Sequence, residues 1–147
     1  MNILKWNIVI GGLMLLLCDN TQAYARDLAI ISNKDYPVNT ISTAKVKEIY
    51  LGEKMSEGSV KIKPMDQNDE QLRRRFIERV VGTSVDGYKA YWIKKFFQEG
   101  ITPPTTKASS SEMIHAVANM TGGIGYVWAD EIRGDSVKVL IKIDVGN

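Results

Sequence analysis

The chain has 147 residues, with 19 basic and 17 acidic side chains, one histidine and one cysteine, for a formal net charge of +2 at pH 7. A near-balanced charge argues against a dedicated nucleic-acid binder, which concentrates Lys and Arg on one face. A lone cysteine excludes a disulfide framework and any cysteine-based metal centre, and a sole histidine would leave a zinc site to be completed by carboxylates.

The chain begins MNILKWNIVIGGLMLLLCDNTQAYARD. Lys5 gives a short basic start, and residues 8–18 form an apolar run too short to span a bilayer comfortably. Ala23-Tyr24-Ala25 places small residues where signal peptidase reads. Together these predict a secretory signal peptide at 1–25 and one mature domain at 26–147, located in the periplasm or secreted. Cys18 would leave with the signal, so no thiol nucleophile is expected in the mature chain.

DLAIISN, residues 27–33, reads as a strand: a short aliphatic run closed by polar residues. A helix follows. Ser42 is its N-cap, Ile41 and Val46 form a hydrophobic staple, and Val46, Ile49 and Tyr50 make its apolar stripe. Gly52 supplies the left-handed stop. SVKIKPM, residues 59–65, is expected as a second strand with Val60 and Ile62 on one face. Asn68 or Asp69 then caps a helix that buries Leu72, Phe76, Ile77 and Val80 and ends at Gly82. Ser84 caps a third helix. Tyr88, Tyr91, Trp92 and Phe96 are its expected buried face, Phe97 sits at an edge, and Gly100 stops it before Pro103-Pro104. Ser109 with Glu112 forms a capping box for a fourth helix, striped by Met113, Ile114 and Val117. Gly122-Gly123 breaks that helix. IGYVWA, residues 124–129, is a strand, and 136–144 is a last one with Val137, Val139, Ile141 and Ile143 alternating.

This order predicts an α/β fold with a mixed, partly parallel sheet flanked by helices. Ligands in such sheets bind at loops leaving the carboxyl ends of strands. The loops expected there are Ser32-Asn33-Lys34 and Asp66-Gln67-Asn68-Asp69, with the Ser109 helix start joining from the side.

Asp66, Asp69 and Glu70 lack the alternating acids, central glycine and distant glutamate of a calcium loop. Glu70 serves the helix dipole, whereas Asp66 at the strand end faces a ligand. Arg73, Arg74 and Arg75 fan out about 100° apart and cannot all reach one anion. His115 reads as a surface residue. A hydrolase pairing it with Ser109 or Ser110 lacks the Gly-x-Ser-x-Gly turn, and those serines already serve as caps. The aromatics of the third helix read as core packing in preference to a sugar platform. Thr121, beside Gly122-Gly123, belongs equally to a turn or to a ligand contact.

The order of AIISNKDYPVNTISTAKVKEIYLGEK, VKIKPMDQND, YWIKKFFQEGITPP and GGIGYVW resembles the phosphate-type substrate-binding proteins of ABC transporters, and more closely their small single-lobe relatives. VKEIYLG is similar to the family's Ile-Phe-x-Gly helix end, and GGIGYV to its Gly-Ala-Ile-Gly-Tyr turn and strand. The resemblance implies a periplasmic-binding-protein-like lobe in a non-enzymatic solute-binding protein without cofactor or metal. Ser32, Asn33, Gln67, Asn68, Asp69, Ser109, Ser110 and Thr121 are the ligand-binding residues expected from it. In the family an Arg and a Ser-Gly-Thr helix start hold phosphate. Here Gln67 stands about where the Arg is expected, and Asn68-Asp69-Glu70 replaces Ser-Gly-Thr. Gln carries no charge and two carboxylates repel a dianion, so the anion loop is altered. The expected partners are a small polar or anionic ligand, phosphate among them, and a membrane transporter or receptor; nucleic acid is not expected. The alternative reading is an accessory or sensory domain that docks on a membrane protein.

Overall fold

A computed structural model describes residues 26–146; the expected signal peptide and its cleavage point lie outside the described residues. Strand β1 (Asp27–Ser32) is the aliphatic run, with Leu28 to Ile31 fully buried. It is buried on both faces, which is why its sequence is continuously apolar and does not alternate. Helix α1 (Thr43–Tyr50) is capped by Ser42, whose side chain accepts from the Lys45 N–H, and it buries Val46, Ile49 and Tyr50.

The single strand expected over 59–65 is corrected to two. Strands β2 (Ser56–Glu57) and β3 (Val60–Lys61) form a small hairpin, and β4 (Lys63–Gln67) enters the main sheet. Ile62 makes the joint: its N–H turns to Met55 O, and the next N–H, of Lys63, turns to Gly122 O. Helix α2 (Glu70–Phe76) is capped by Asp69 and runs into a π-helical turn at Ile77–Val81, which Gly82 ends at φ +82°. Helix α3 (Val85–Glu99) starts at the Ser84 cap and stops at left-handed Gly100.

Strand β5 (Thr105–Lys107) has only three residues and no sequence signal that exceeds the Pro-Pro before it. Helix α4 (Ser110–Ala118) is followed by β6 (Gly123–Trp128), a turn of 3-10 helix at Ala129–Glu131, and β7 (Lys138–Asp144).

The sheet order is β5-β4-β6-β1-β7. Strands β5 and β6 run parallel to β4, whereas β1 is antiparallel to both β6 and β7, so the sheet is mixed. Helices α1, α2 and α3 cover one face over Leu28, Ile30, Ile124 and Tyr126; α4 covers the other over Ala29, Ile31, Met65 and Val127.

Two details differ from expectation. The β1–β7 register shifts between Ile30 and Ile31, which face Ile141 and Val139, so Leu140 is an extra residue on β7. That bulge reverses the alternation: Leu140 is 4% exposed and Val139 is 36% exposed. On α3 only Tyr88 and Trp92 are buried; Tyr91 is half-buried and Phe96 is 46% exposed. Tyr88 and Trp92 lie one turn apart on one narrow stripe, with partly buried Val85 and Tyr91 packed beside it.

Candidate functional site

Strand β4 delivers Asp66 and Gln67 to opposite faces of the sheet. Asp66 points to the α2 side, is 5% exposed, and accepts three hydrogen bonds. The donors are its neighbour's Gln67 N–H at 2.8 Å, Arg73 Nε at 2.9 Å and the Tyr126 hydroxyl. Burial, followed by the Asp66 charge and that hydrogen bond, pushes the Tyr126 phenol well above its ordinary range. Gln67 points to the α4 side and is fully buried. Its Nε2 donates to Tyr126 O at 3.1 Å and to Ser110 Oγ at 3.4 Å, while its Oε1 has no hydrogen-bond partner among the described residues.

The rest of this corner is also tied. The Asn68 N–H donates to Lys107 O at 3.0 Å. The Asp69 side chain accepts from Leu72 N–H at 3.0 Å, as an N-cap does. Ser109 accepts from Glu112 N–H at 3.1 Å, and Glu112 reaches back to the Ala108 N–H at 2.9 Å. The corner therefore gathers Gln67, Asn68, Asp69, Ser109 and Ser110, and its Asp66 and Asp69 carboxylates take up donors that a bound anion would use.

Beside this corner lies an open depression of about 990 Å³, lined by Asn68, Glu70, Gln71, Arg73, Arg74 and Thr106, with Val85 at its edge. Of these, Gln71 and Thr106 were not singled out from the sequence, and Arg74 was read only as one of three arginines that fan out around the helix. Thr106 sits on a strand too short to read, and Gln71 and Arg74 are one turn apart, as polar residues on any exposed helix face are.

Ser32, Asn33 and Thr121 lie elsewhere, which corrects the expectation that all corners share one rim. Ser32 and Pro64 both stand opposite Ile124, level with the start of β4, about 10 Å along the strands from Gln67. Ser32 is fully buried, and its hydroxyl donates to Asn33 O. Asn33 Nδ2 donates to Val117 O at 3.2 Å and Ala118 O at 2.9 Å, closing the carboxyl end of α4, while its Oδ1 accepts from Asp35 N–H. Thr121 is exposed in the turn between α4 and β6. The cause is strand direction: β1 runs against β6, and β4 runs with it. Asn33→Ala is expected to cost about 1–2 kcal/mol of folding stability by removing two hydrogen bonds to the carbonyls at the end of α4. Urea denaturation measures this, and a loss below a few tenths would contradict it.

His115 is exposed on α4. It lies about 140° around the helix from Ser110, so the two do not pair. Adjoining the depression, with Arg73, Val85 and Thr106 common to both, is a groove of about 480 Å³ bordered by the exposed Ile93, Phe96 and Phe97 and walled by Tyr88, Trp92, Pro103 and Pro104.

No family model matches the chain, and no curated protein sequence is similar to it. Solved structures of similar fold do exist. A phosphate ABC transporter substrate-binding protein from Clostridium perfringens, solved with bound phosphate, superposes with a TM-score of 0.63 at 21% identity, over 79% of this chain and 45% of that one. An ABC-type phosphate transport receptor from Vibrio cholerae gives 0.60 at 20% identity, over 78% and 45%. PstS from Borrelia burgdorferi gives 0.59 at 13% identity, over 79% and 47%. The chain thus spans about half the length of these proteins. At such identities the likeness establishes the fold, and the mixed sheet flanked by helices is the lobe that the sequence resemblance implied.

Proposed function

We propose that this chain is an exported, non-enzymatic binding protein of the solute-capture type. It is built as one lobe of the phosphate-binding-protein fold, with a corner altered against free phosphate. The observation that carries the reading is the self-satisfied corner: the Gln67 and Leu72 N–H groups and Arg73 are held by the protein's own Asp66 and Asp69 carboxylates. A dianion arriving there meets two carboxylates and few free donors. A polar solute with both donors and acceptors fits the adjoining depression better, where Glu70 and Arg74 offer opposite charges and Asn68 and Thr106 offer hydrogen bonds.

The described residues form one wall of such a cleft, and in two-lobed binding proteins a second wall is needed to exclude water. Calorimetric titration with phosphate, sulfate and small carboxylates tests the reading. Inorganic phosphate is expected to bind with a Kd weaker than about 1 mM. Micromolar phosphate affinity, lost on Arg74→Ala, would overturn the altered-corner part of it.

A second reading, docking on a membrane transporter or receptor, is favoured by one observation: Ile93, Phe96 and Phe97 stand exposed together, with Phe97 80% exposed. The Phe96→Ser, Phe97→Ser double variant is expected to keep the fold and lose co-sedimentation with the membrane fraction of the producing cell. Retained co-sedimentation removes this reading.

A further inference from the structure

A cavity of about 520 Å³ opens at the β5 edge of the sheet. Strand β5 pairs only with Met65–Gln67, so among the described residues no strand pairs with Lys63 and Pro64 on that side. The notch left there is walled by Lys54, Met55 and Lys61 on one part and by the Gly100–Pro104 segment on another. Four lysines line it: Lys54 from the loop after α1, Lys61 from β3, Lys63 from β4 and Lys107 from β5. No carboxylate is among its lining residues. Among the described residues, the one acid paired with any of the four is Glu57, 3.3 Å from Lys54 Nζ. Thr102 and Thr105 add hydroxyls, and Ile62, Trp92 and Ile101 give the cavity an apolar side. Trp92 is 6% exposed, and its indole N–H has no hydrogen-bond partner among the described residues.

Lysines on an edge strand commonly serve to prevent pairing with other chains. That accounts for one or two along an edge, but not for four from separate segments around one concavity without a carboxylate in its wall. Like charges brought together repel, and a counter-anion removes the cost. Lys ammonium groups act as mobile point charges that suit phosphate oxygens. Four of them outnumber the charge on a single phosphate, and the volume lies within the range of small-molecule sites.

We propose that the notch formed by Lys54, Lys61, Lys63 and Lys107 binds a polyphosphate, its phosphates on the lysines, with any organic body it carries set against Ile62, Trp92 and Ile101. This site is separate from the depression of the preceding proposal and does not depend on it. The ligand class covers a linear polyphosphate and a nucleoside triphosphate, which share the charged part and differ in the body.

Calorimetric titration of residues 26–147 with tripolyphosphate, with ATP and with inorganic phosphate tests it. At least one of the first two is expected to bind with a Kd below ~100 µM at low salt, weakening steeply as salt rises. Inorganic phosphate is expected to bind at least tenfold more weakly. Tighter binding of ATP than of tripolyphosphate shows the apolar body seated; the reverse shows the charges alone engaged, and either supports the polyphosphate site. The Lys61→Ala, Lys63→Ala double variant, both exposed positions, is expected to lose at least tenfold in affinity. The Lys61→Arg, Lys63→Arg variant keeps the charge and is expected to retain binding. The control pair Lys89→Ala, Lys94→Ala, on α3 away from the notch, is expected to leave it unchanged. The proposal is overturned if neither polyphosphate binds at 1 mM ligand, if inorganic phosphate binds equally well, or if the control pair weakens binding as much as the notch pair. Phosphate binding lost on Arg74→Ala but not on the notch substitutions would belong to the corner instead, so the two proposals fail separately.

Discussion

Replacing Gly122 with alanine is expected to cost at least about 3 kcal/mol of folding stability and to leave little folded protein. Two independent penalties meet there. Gly122 has φ +77°, where an L side chain costs about 1–2 kcal/mol. An added Cβ would also stand 2.0 Å from Lys61 O and 3.2 Å from Val60 Cγ1. The first contact is with backbone, so no side-chain rotation relieves it. The backbone cannot withdraw cheaply either, because the Lys63 N–H donates to Gly122 O at 2.8 Å and Lys63 pairs with Gly123 in the sheet. Moving Lys61 away would pull β4 from β6. Gly100 supplies the reference: its φ is +69°, but an added Cβ there meets nothing within 4 Å. Gly100→Ala should therefore show the conformational penalty alone, about 1–2 kcal/mol. Chemical denaturation of the two variants side by side measures the difference. Losses equal to within about 0.5 kcal/mol would show that the close approach at Gly122 carries no energetic weight.

That close approach also explains what the sequence could and could not disclose. Local signals read well because their physics is local. Ser42, Asp69, Ser84 and Ser109 each accept the N–H three residues on, and Gly82 and Gly100 end their helices in left-handed conformations. The element order, and with it the α/β class, followed from these caps and from apolar periodicity. What did not follow depended on partners distant in sequence. Val60 and Ile62 looked like one strand because both are apolar at period two; the break comes from Gly122, which claims the Lys63 N–H from sixty residues away. The bulge at Leu140 cannot be seen in Val137–Ile143, since it is defined by what β1 places opposite. The site suffered most from topology. Asn33 and Gln67 both follow strands, but β1 runs against β6 and β4 runs with it, so their corners lie at opposite ends. Asn33 is a cap for a helix that begins more than seventy residues later, and no local pattern announces that. The four lysines of the edge notch come from four segments with unremarkable spacing.

Alkaline pH should unfold this protein cooperatively, and buried tyrosines are the reason. Tyr126 stacks on Phe76 with ring centroids 3.9 Å apart, and Tyr50 meets both rings edge-on. Each phenol spends its proton on an acceptor: Tyr126 on Asp66, Tyr50 on Met65 O at 2.8 Å, and Tyr88 on Tyr50 O at 3.1 Å. Ionisation would replace each donor by an anion facing an oxygen. Burial first, and the Asp66 charge second, push Tyr50, Tyr88 and Tyr126 above the ordinary value. Tyr36 is pushed up to about 12 by burial and by Glu57. In the unfolded chain all of them titrate near 10. The folded state therefore holds protons that the unfolded state releases. Their contribution is whole below about pH 10 and is lost as pH rises from there through the folded values. Tyr50, Tyr88 and Tyr126 together remove about 4 kcal/mol per pH unit in that window, and Tyr36 adds about 1.4 more up to about pH 12. Domains of this size hold roughly 5–15 kcal/mol, so unfolding is expected one to a few pH units above ~10. Urea midpoints taken at rising pH should fall with a slope of about three to four protons, and tyrosinate absorbance should appear together with the loss of helical circular dichroism. Tyr126→Phe removes one of those protons and should flatten the slope by that one proton, even though it also loses the hydrogen bond to Asp66. Tyrosinate absorbance from most of these residues developing near pH 10, while the helices stay intact, would show that the phenols titrate freely in the folded protein and that the packed cluster does not hold them neutral.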